Sequence, residues 1–268
     1  MADQRPPRKH DAKPGATPSS KPRATPPDPV AREAELAEWL RFEPEPPAIP
    51  CDPDARALLG RLGIEISAEE EQLLARYLGM LFAANERFNL TRIERDSAWS
   101  RHVVDSLTLL APMAEMAQLT HGVDVGSGGG LPAIPLAIAR RDIGWTLIEA
   151  TGKKARFLDA VARKLGLQNV AVVQERAEKA ARTSLRESFD VATSRAVGGL
   201  SELVVYSIPF LKVGGLMLAI KGERAAEEIA IAKQPLYELH AAVVGEIRTE
   251  TNTIVAIEKQ RKTPSKFP

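Results

Sequence analysis

The sequence predicts an α/β fold: a mostly parallel, seven-stranded sheet with helices on both faces, entered through a helical cap. Three observations predict it. After residue 121, short β-branched runs alternate with helical segments at the spacing of βαβ units. Before residue 121, apolar residues recur at three- and four-residue steps. Between the first strand and its helix lies a glycine loop, Gly126-Ser127-Gly128-Gly129-Gly130.

The elements follow in chain order. Thirteen of the 20 prolines fall in residues 1–53, and residues 1–30 carry six Lys/Arg with almost no large apolar side chain. Such a segment cannot bury enough surface to offset its ordering entropy, so 1–53 reads as a disordered, Pro-rich extension. Within it, residues 31–42 could form a short helix with Trp39, Leu40 and Phe42 as its apolar side, too short to stand alone in water. Folding is expected to begin near Asp54, with a helical cap over 54–118. Ser67-Ala68-Glu69-Glu70 is a capping box, and Leu73, Leu74, Tyr77, Leu78, Leu81 and Phe82 line one face behind it. A second helix runs through Trp99, Val103, Val104, Leu107 and Leu110, with Pro112 at its end.

Residues 119–262 carry the alternating pattern. Strands are expected at 123–125, 145–148, 170–173, 189–192, 215–220, 241–244 and 253–257, with Gly245 near a turn. Helices are expected at 134–139, 153–165 and 200–208, and a flexible C-terminus at 263–268.

Composition narrows the function. Thirty-six Lys+Arg against 35 Asp+Glu give a net charge of +1, which excludes a globally basic nucleic-acid coat but not a local patch. A single cysteine, Cys51, excludes an internal disulfide and any Cys-rich zinc site. His10, His121 and His240 show no ligand spacing, so no metal is expected. No apolar run approaches the roughly 18 residues of a membrane span, and the first residues lack the apolar stretch of a signal peptide. A cytoplasmic protein is the expectation.

The glycine loop carries the chemistry. It lacks the Lys of a Walker loop. A dinucleotide fingerprint counted from Gly126 would need glycine where Leu131 stands; counted from Gly128 it meets Ala133, a tolerated variant, so that register stays open. An acidic residue followed by G-x-G-x-G, here Asp124 and Gly126 to Gly130, fits the S-adenosylmethionine loop of class I methyltransferases. The next strand ends at Glu149, 19 residues after Gly130, where a carboxylate can accept both ribose hydroxyls.

Several motifs, taken in order, resemble one family. They are Asn89-Leu90-Thr91, Arg101-His102-Val103-Val104-Asp105-Ser106, and the loop from Asp124 to Pro132. Gly152 to Leu158, Arg176-Ala177-Glu178, Ser194-Arg195-Ala196 and Lys221-Gly222 complete the set. Over about residues 55–260 the chain resembles the bacterial small-subunit ribosomal RNA guanine-N7 methyltransferases, the RsmG/GidB or glucose-inhibited division protein B family. Ala133 departs from it where glycine is usual.

The resemblance implies a class I S-adenosylmethionine-dependent methyltransferase fold with an N-terminal helical cap. It implies methylation of guanine N7 in 16S ribosomal RNA, at guanosine 527 in the usual numbering of that RNA. Its donor-site positions fall on Gly126, Leu131, Ala177, Glu178 and Arg195; Glu149 is added as the ribose partner. Partners are then 16S RNA, the small ribosomal subunit or an assembly intermediate, with the enzyme a monomer. A class I methyltransferase acting on another RNA, a protein or a small molecule is the alternative.

Other residues receive roles by position. Arg92, Arg95, Arg101, His102, Arg195 and Lys221 flank the expected mouth and are the candidates for RNA contact. Lys153, Lys154, Arg156, Arg163 and Lys164 share one helix and read as its solvated face. His102 and Asp105, three apart, share a helix face and could form an acid–base pair. Guanine N7 carries no proton, however, so a structural or RNA-facing hydrogen bond is the expected role and no catalytic base is named.

Overall fold

The computed structural model describes residues 29–195 and 198–268; Ala196 of the Ser194-Arg195-Ala196 motif and the Pro-rich residues 1–28 lie outside the described residues. Helix α1 (Pro29–Trp39), α2 (Pro53–Arg61) and α3 (Ala68–Phe88) lead into a π-helical turn, Trp99–Val104. That turn continues through α4 (Asp105–Leu107) and α5 (Leu110–Ala114). Then strands and helices alternate: β1 (His121–Val125), α6 (Ala133–Ala139), β2 (Gly144–Ile148), α7 (Gly152–Leu165), β3 (Val170–Val173) and α8 (Ala177–Ala180). They are followed by β4 (Phe189–Arg195), α9 (Leu200–Ser207), β5 (Leu211–Lys221), α10 (Ala225–Glu238), β6 (Ala241–Arg248) and β7 (Thr253–Lys259).

The seven strands form one sheet in the order β3-β2-β1-β4-β5-β7-β6. Pairs β3–β2, β2–β1, β1–β4 and β4–β5 are parallel; β7 is antiparallel to both β5 and β6. The chain steps outward from β1 to β3, then restarts at β4 on the other side of β1. The sheet therefore has its switch point between β1 and β4, the place where open α/β sheets bind ligands.

The two faces of the sheet bury different layers. On one, Trp145, Leu147, Val191 and Leu218 pack with the cap and with Ile134, Phe157 and Leu158 of α6 and α7. On the other, Val123, Val125, Ala192 and Met217 pack with Leu203 of α9 and with Ala225, Ala232 and Leu236 of α10. The alternation along each strand divides the core this way.

Several expectations need correction. The folded part begins before Asp54. Leu40 and Phe42 are buried in the core that α3 and α7 share, and the Phe42 ring meets Phe157 edge-on at 6.4 Å. Trp39 packs edge-on against Phe88 and carries the Arg87 guanidinium over its ring. Farther on, Ile49 N–H donates to Ala75 O at 2.9 Å, and Trp99 Nε1 donates to Ile49 O at 2.8 Å. Pro47 lies so close to Gly79 that a Cβ there would stand 2.4 Å from its carbonyl oxygen. Proline stops this stretch from being helical, yet an extended strap with a few apolar anchors can still lie along α3.

The C-terminus, expected to be flexible, is also tied down. The Arg186 guanidinium donates to the carbonyls of Thr263 and Pro268, Thr263 N–H donates to Glu187, and Phe267 packs on the second core. Pro112 sits inside α5 near its start, where its missing N–H removes no helical hydrogen bond, so it does not end the helix. Gly245 is within β6 at a register shift; the turn falls after Arg248. Helix α10 was not expected. Its buried positions Ala225, Ala232 and Leu236 are sparse, Ile231 and Tyr237 are exposed, and Pro235 lies inside it.

The capping box forms as read: Glu70 N–H donates to Ser67 Oγ at 3.2 Å and Ser67 N–H to Glu70 Oε2 at 2.6 Å. Deleting residues 1–53 is expected to lower the thermal midpoint clearly, because it strips Leu40 and Phe42 from the core. Phe42→Ala alone should cost about 3–5 kcal/mol, the range for a buried phenylalanine truncated to alanine. Thermal and denaturant unfolding check both, and an unchanged midpoint on deletion would return residues 40–53 to the linker.

Candidate functional site

Parallel pairing places the ends of β1 to β5 on a single edge, and the predicted site residues gather there. Gly126, Gly128 and Gly130 follow β1 with φ of +74°, +56° and +94°. Only glycine takes that run of left-handed values without strain. The Gly126 and Ser127 amides both donate to Ile148 O, the last residue of β2.

Glu149 is buried beside this loop and accepts from Gly128 N–H at 2.9 Å and Thr151 N–H at 2.7 Å. A carboxylate has about four lone-pair positions, so acceptor capacity toward a ligand remains. Leu131 points into the core; only its backbone is available to a ligand. Ala177 and Glu178 open α8 behind β3, in a first turn whose amides no preceding helical carbonyl serves.

Asp124, the acidic residue two positions before the loop, is only half served by its neighbours. Thr193 Oγ1 donates to its Oδ1 at 2.8 Å, while its Oδ2 is buried with no hydrogen-bond partner among the described residues. Burial pushes its carboxyl up to about 7. An unserved buried acceptor below a glycine loop fits a ligand that brings a donor, such as an amino group.

The cap holds the loop from above. Tyr77 of α3 donates its hydroxyl to Gly129 O at 2.8 Å, and a Cβ at Gly129 would collide with Leu81. Asn89 ends α3 in the left-handed conformation, and Asn85 Oδ1 accepts from both Leu90 N–H and Thr91 N–H. The Asn89-Leu90-Thr91 motif is thereby fixed against the loop.

His102 is fully buried in the π-helical turn. Arg195, the last residue of β4, donates from Nη2 to His102 Nδ1 at 2.7 Å and from Nη1 to Arg101 O at 2.6 Å. A guanidinium has no acceptor, so Nδ1 is the bare nitrogen and Nε2 carries the hydrogen, which it donates to Thr91 Oγ1 at 2.9 Å. Burial and the Arg195 charge hold the imidazole down at about 3, neutral throughout the physiological range. His102 and Asp105 therefore do not form the acid–base pair their spacing allowed. Asp105 instead accepts from Thr251 Oγ1 and lies 3.5 Å from Arg101 Nε; burial holds its carboxyl above the ordinary value, against the opposing pull of Thr251, Arg195, Arg101 and Asn252.

A cleft of about 750 Å³ opens at this edge, lined among others by Arg92, Arg101, Asp105, Arg195, Lys221 and Asn252. Arg92 and Arg101 are exposed at its rim. Lys221 lines it too, but its ammonium is buried and committed to Glu228 at 2.7 Å and Gly198 O at 3.1 Å. Gly126, Leu131, Glu149, Ala177 and Glu178 lie along the edge outside the cleft lining. Among the described residues, no group of three or more His, Cys, Asp or Glu is placed to hold a metal ion, and no helix is long and apolar enough to cross a membrane.

Residues 70–254 match the family described as rRNA small subunit methyltransferase G, GidB. The chain belongs to that family. It is 46% identical over 211 residues to ribosomal RNA small subunit methyltransferase G of Sorangium cellulosum, covering 78% of this chain and 88% of the relative. It is 42% identical over 214 residues to the protein of the same name from Chloroflexus aggregans, covering 77% and 89%. Among solved structures it resembles cofactor-bound Rv0187 from MTB, with a TM-score of 0.54 and 20% identity over 79% of this chain and 99% of that one, a likeness of fold. Family membership closes the dinucleotide register that the glycine loop had left open.

Gly128→Val is expected to weaken S-adenosylmethionine binding by well over tenfold. A β-branched residue is strained at the φ of +56° seen there and would shift the loop backbone that the donor lies on. Calorimetry on a variant with unchanged far-ultraviolet dichroism checks this, and unaltered affinity would remove the donor from the loop.

Proposed function

We propose that this chain transfers a methyl group from S-adenosylmethionine to N7 of a guanine in 16S ribosomal RNA, at guanosine 527 in the usual numbering. Family membership supports the reaction class. The observation that carries the substrate is the cation-rimmed cleft opening on the same sheet edge as the glycine loop, one strand away across β4.

The residues present fit the donor. Gly126 and the Leu131 backbone would cradle its methionine part, Asp124 its amino group, Glu149 the ribose, and Ala177 with Glu178 the adenine. Arg195 stands at the junction of donor edge and cleft. When bound, the donor supplies an electrophilic methyl on a sulfonium sulfur.

Guanine N7 offers a lone pair and carries no proton. The chain has no proton to remove, and its work is to orient the base and exclude water. Consistent with that, His102 is neutral, and its bare nitrogen is already occupied by Arg195. Arg92 and Arg101 at the rim suit phosphates, whose contacts position RNA without reading it. Lys221 is the weaker phosphate candidate, since Glu228 neutralises it.

In this reading the enzyme works in the cytoplasm as a monomer, on 16S RNA presented free, in the small subunit or in an assembly intermediate. Mapping N7-methylguanine in 16S RNA from cells with and without the gene tests the proposal; an unchanged map would direct the search to another RNA, a protein or a small molecule.

His102→Gln is expected to keep the single-turnover rate at saturating RNA within about tenfold of the native value, well short of the 10²–10⁴ lost with an acid–base group. Because burial and Arg195 hold the His102 imidazole down at about 3, any inflection near pH 7 belongs to Asp124 and should persist in His102→Gln. A thousandfold loss with RNA affinity intact would instead make His102 a catalyst.

A further inference from the structure

The cleft carries acceptors as well as guanidinium donors: Asp105, one turn beyond Arg101, lies 3.5 Å from its Nε. Asp105 reaches the cleft from the cap, its carboxylate oriented by the Thr251 hydroxyl. Beside it, Asn252 donates its amide nitrogen to Thr251 Oγ1 at 3.2 Å, while its Oδ1 is buried without a hydrogen-bond partner among the described residues. The Asp105 oxygens are shared with Thr251 and Arg101 but keep lone pairs, and with the unserved Asn252 Oδ1 they give this wall an acceptor capacity that calls for a ligand edge made of N–H donors.

Strand register places that wall. Arg195 on β4 stands opposite Ile220 on β5, and Ile220 opposite Ile254 on β7. Thr251 and Asn252 form the turn that enters β7. Moving from the glycine loop at β1, one passes Arg195, then β5, then this turn. At about 4.8 Å per strand the turn lies about 14 Å from the loop. A purine seated between them with N7 toward the loop puts the opposite side of its ring toward the turn. In guanine that side carries the N1–H and the 2-amino group; in adenine it carries a lone pair at N1 and only a C–H at C2.

We propose that Asp105, seconded by Asn252, is the base-selecting residue of the cleft, its carboxylate accepting the N1–H and 2-amino donors of guanine. Thr251 acts as a positioning residue through Asp105. The same acceptors turn adenine away, because its N1 lone pair would face a carboxylate. This inference rests on the methyl-transfer reading above and adds to it the groups that choose the base.

The test compares single-turnover transfer to 16S RNAs, free and assembled into small subunits and their intermediates, with guanosine or inosine at the acceptor position. Inosine keeps N7, O6 and N1–H and lacks only the 2-amino group. The native chain is expected to prefer guanosine by at least about tenfold in kcat/KM, as when a built acceptor is left unpaired. Asp105→Asn should slow transfer to guanosine and narrow the guanosine-to-inosine ratio to within about threefold, with unfolding midpoints checking the fold. Thr251→Val, which keeps the carboxylate, should lose less rate and retain part of the preference. Equal native rates on both RNAs overturn the proposal whether or not any variant folds, as does a native-like ratio in Asp105→Asn. A native chain that methylates neither RNA overturns the transfer reading itself.

Discussion

Parallel pairing of β1 to β5 is the constraint on which the rest of the molecule depends. Parallel neighbours force each connection to cross back over a face of the sheet, so every strand ends on the same edge. Glu149, Ala177, Arg195 and Lys221 are scattered along the chain, yet each follows or ends a strand and so arrives at that edge. The reversal of strand order between β1 and β4 opens the gap between their connections, and the glycine loop occupies it.

The second constraint is that the loop is not self-supporting. Its carbonyl at Gly129 is held by Tyr77, its backbone is pressed by Leu81 and Leu90, and its Gly128 amide is held by Glu149. The cap is thus part of the site's framework rather than an appendage. Arg195 binds cap to sheet from the other side, through the Arg101 carbonyl and the neutral ring of His102. Burial lowers the affinity of both Arg195 and His102 for protons, and a neutral acceptor is the arrangement that spares the guanidinium a second buried cation.

A chemistry with no proton to move suits this electrostatic layout. The titratable groups at the edge are buried and engaged with one another, while the exposed guanidiniums of Arg92 and Arg101 stand at the rim. Asp124 is the exception, a buried carboxyl with one unserved oxygen at the base of the glycine loop. The cleft draws its lining from several elements: the cap and β4 bring Arg92, Arg101 and Arg195 together with Asp105, and the turn before β7 brings Thr251 and Asn252 against that carboxylate.

Local chemistry determined much of this in the sequence alone. The capping box, the glycine loop and the seven strand segments are short-range patterns, and they read correctly because backbone preferences and side-chain periodicity act over a few residues. Glu149 was legible as the residue that follows the second strand, whereas Gly126, Leu131, Ala177, Glu178 and Arg195 were implied by the family resemblance; the parallel sheet brings them all to one edge. What only the tertiary structure decided depends on contacts between distant segments. Leu40 and Phe42 read as the apolar side of a helix too short to stand alone until α3 and α7 provide a surface. Helix α10 escaped notice because its buried stripe is too sparse to stand out from its exposed apolar residues. His102 and Asp105 share a helix face, but Arg195 from β4 and Thr251 from the last turn claim them separately. Lys221 looks like a phosphate ligand until Glu228 folds onto it. In each case the partner is far away in sequence, and burial against it sets the residue's role.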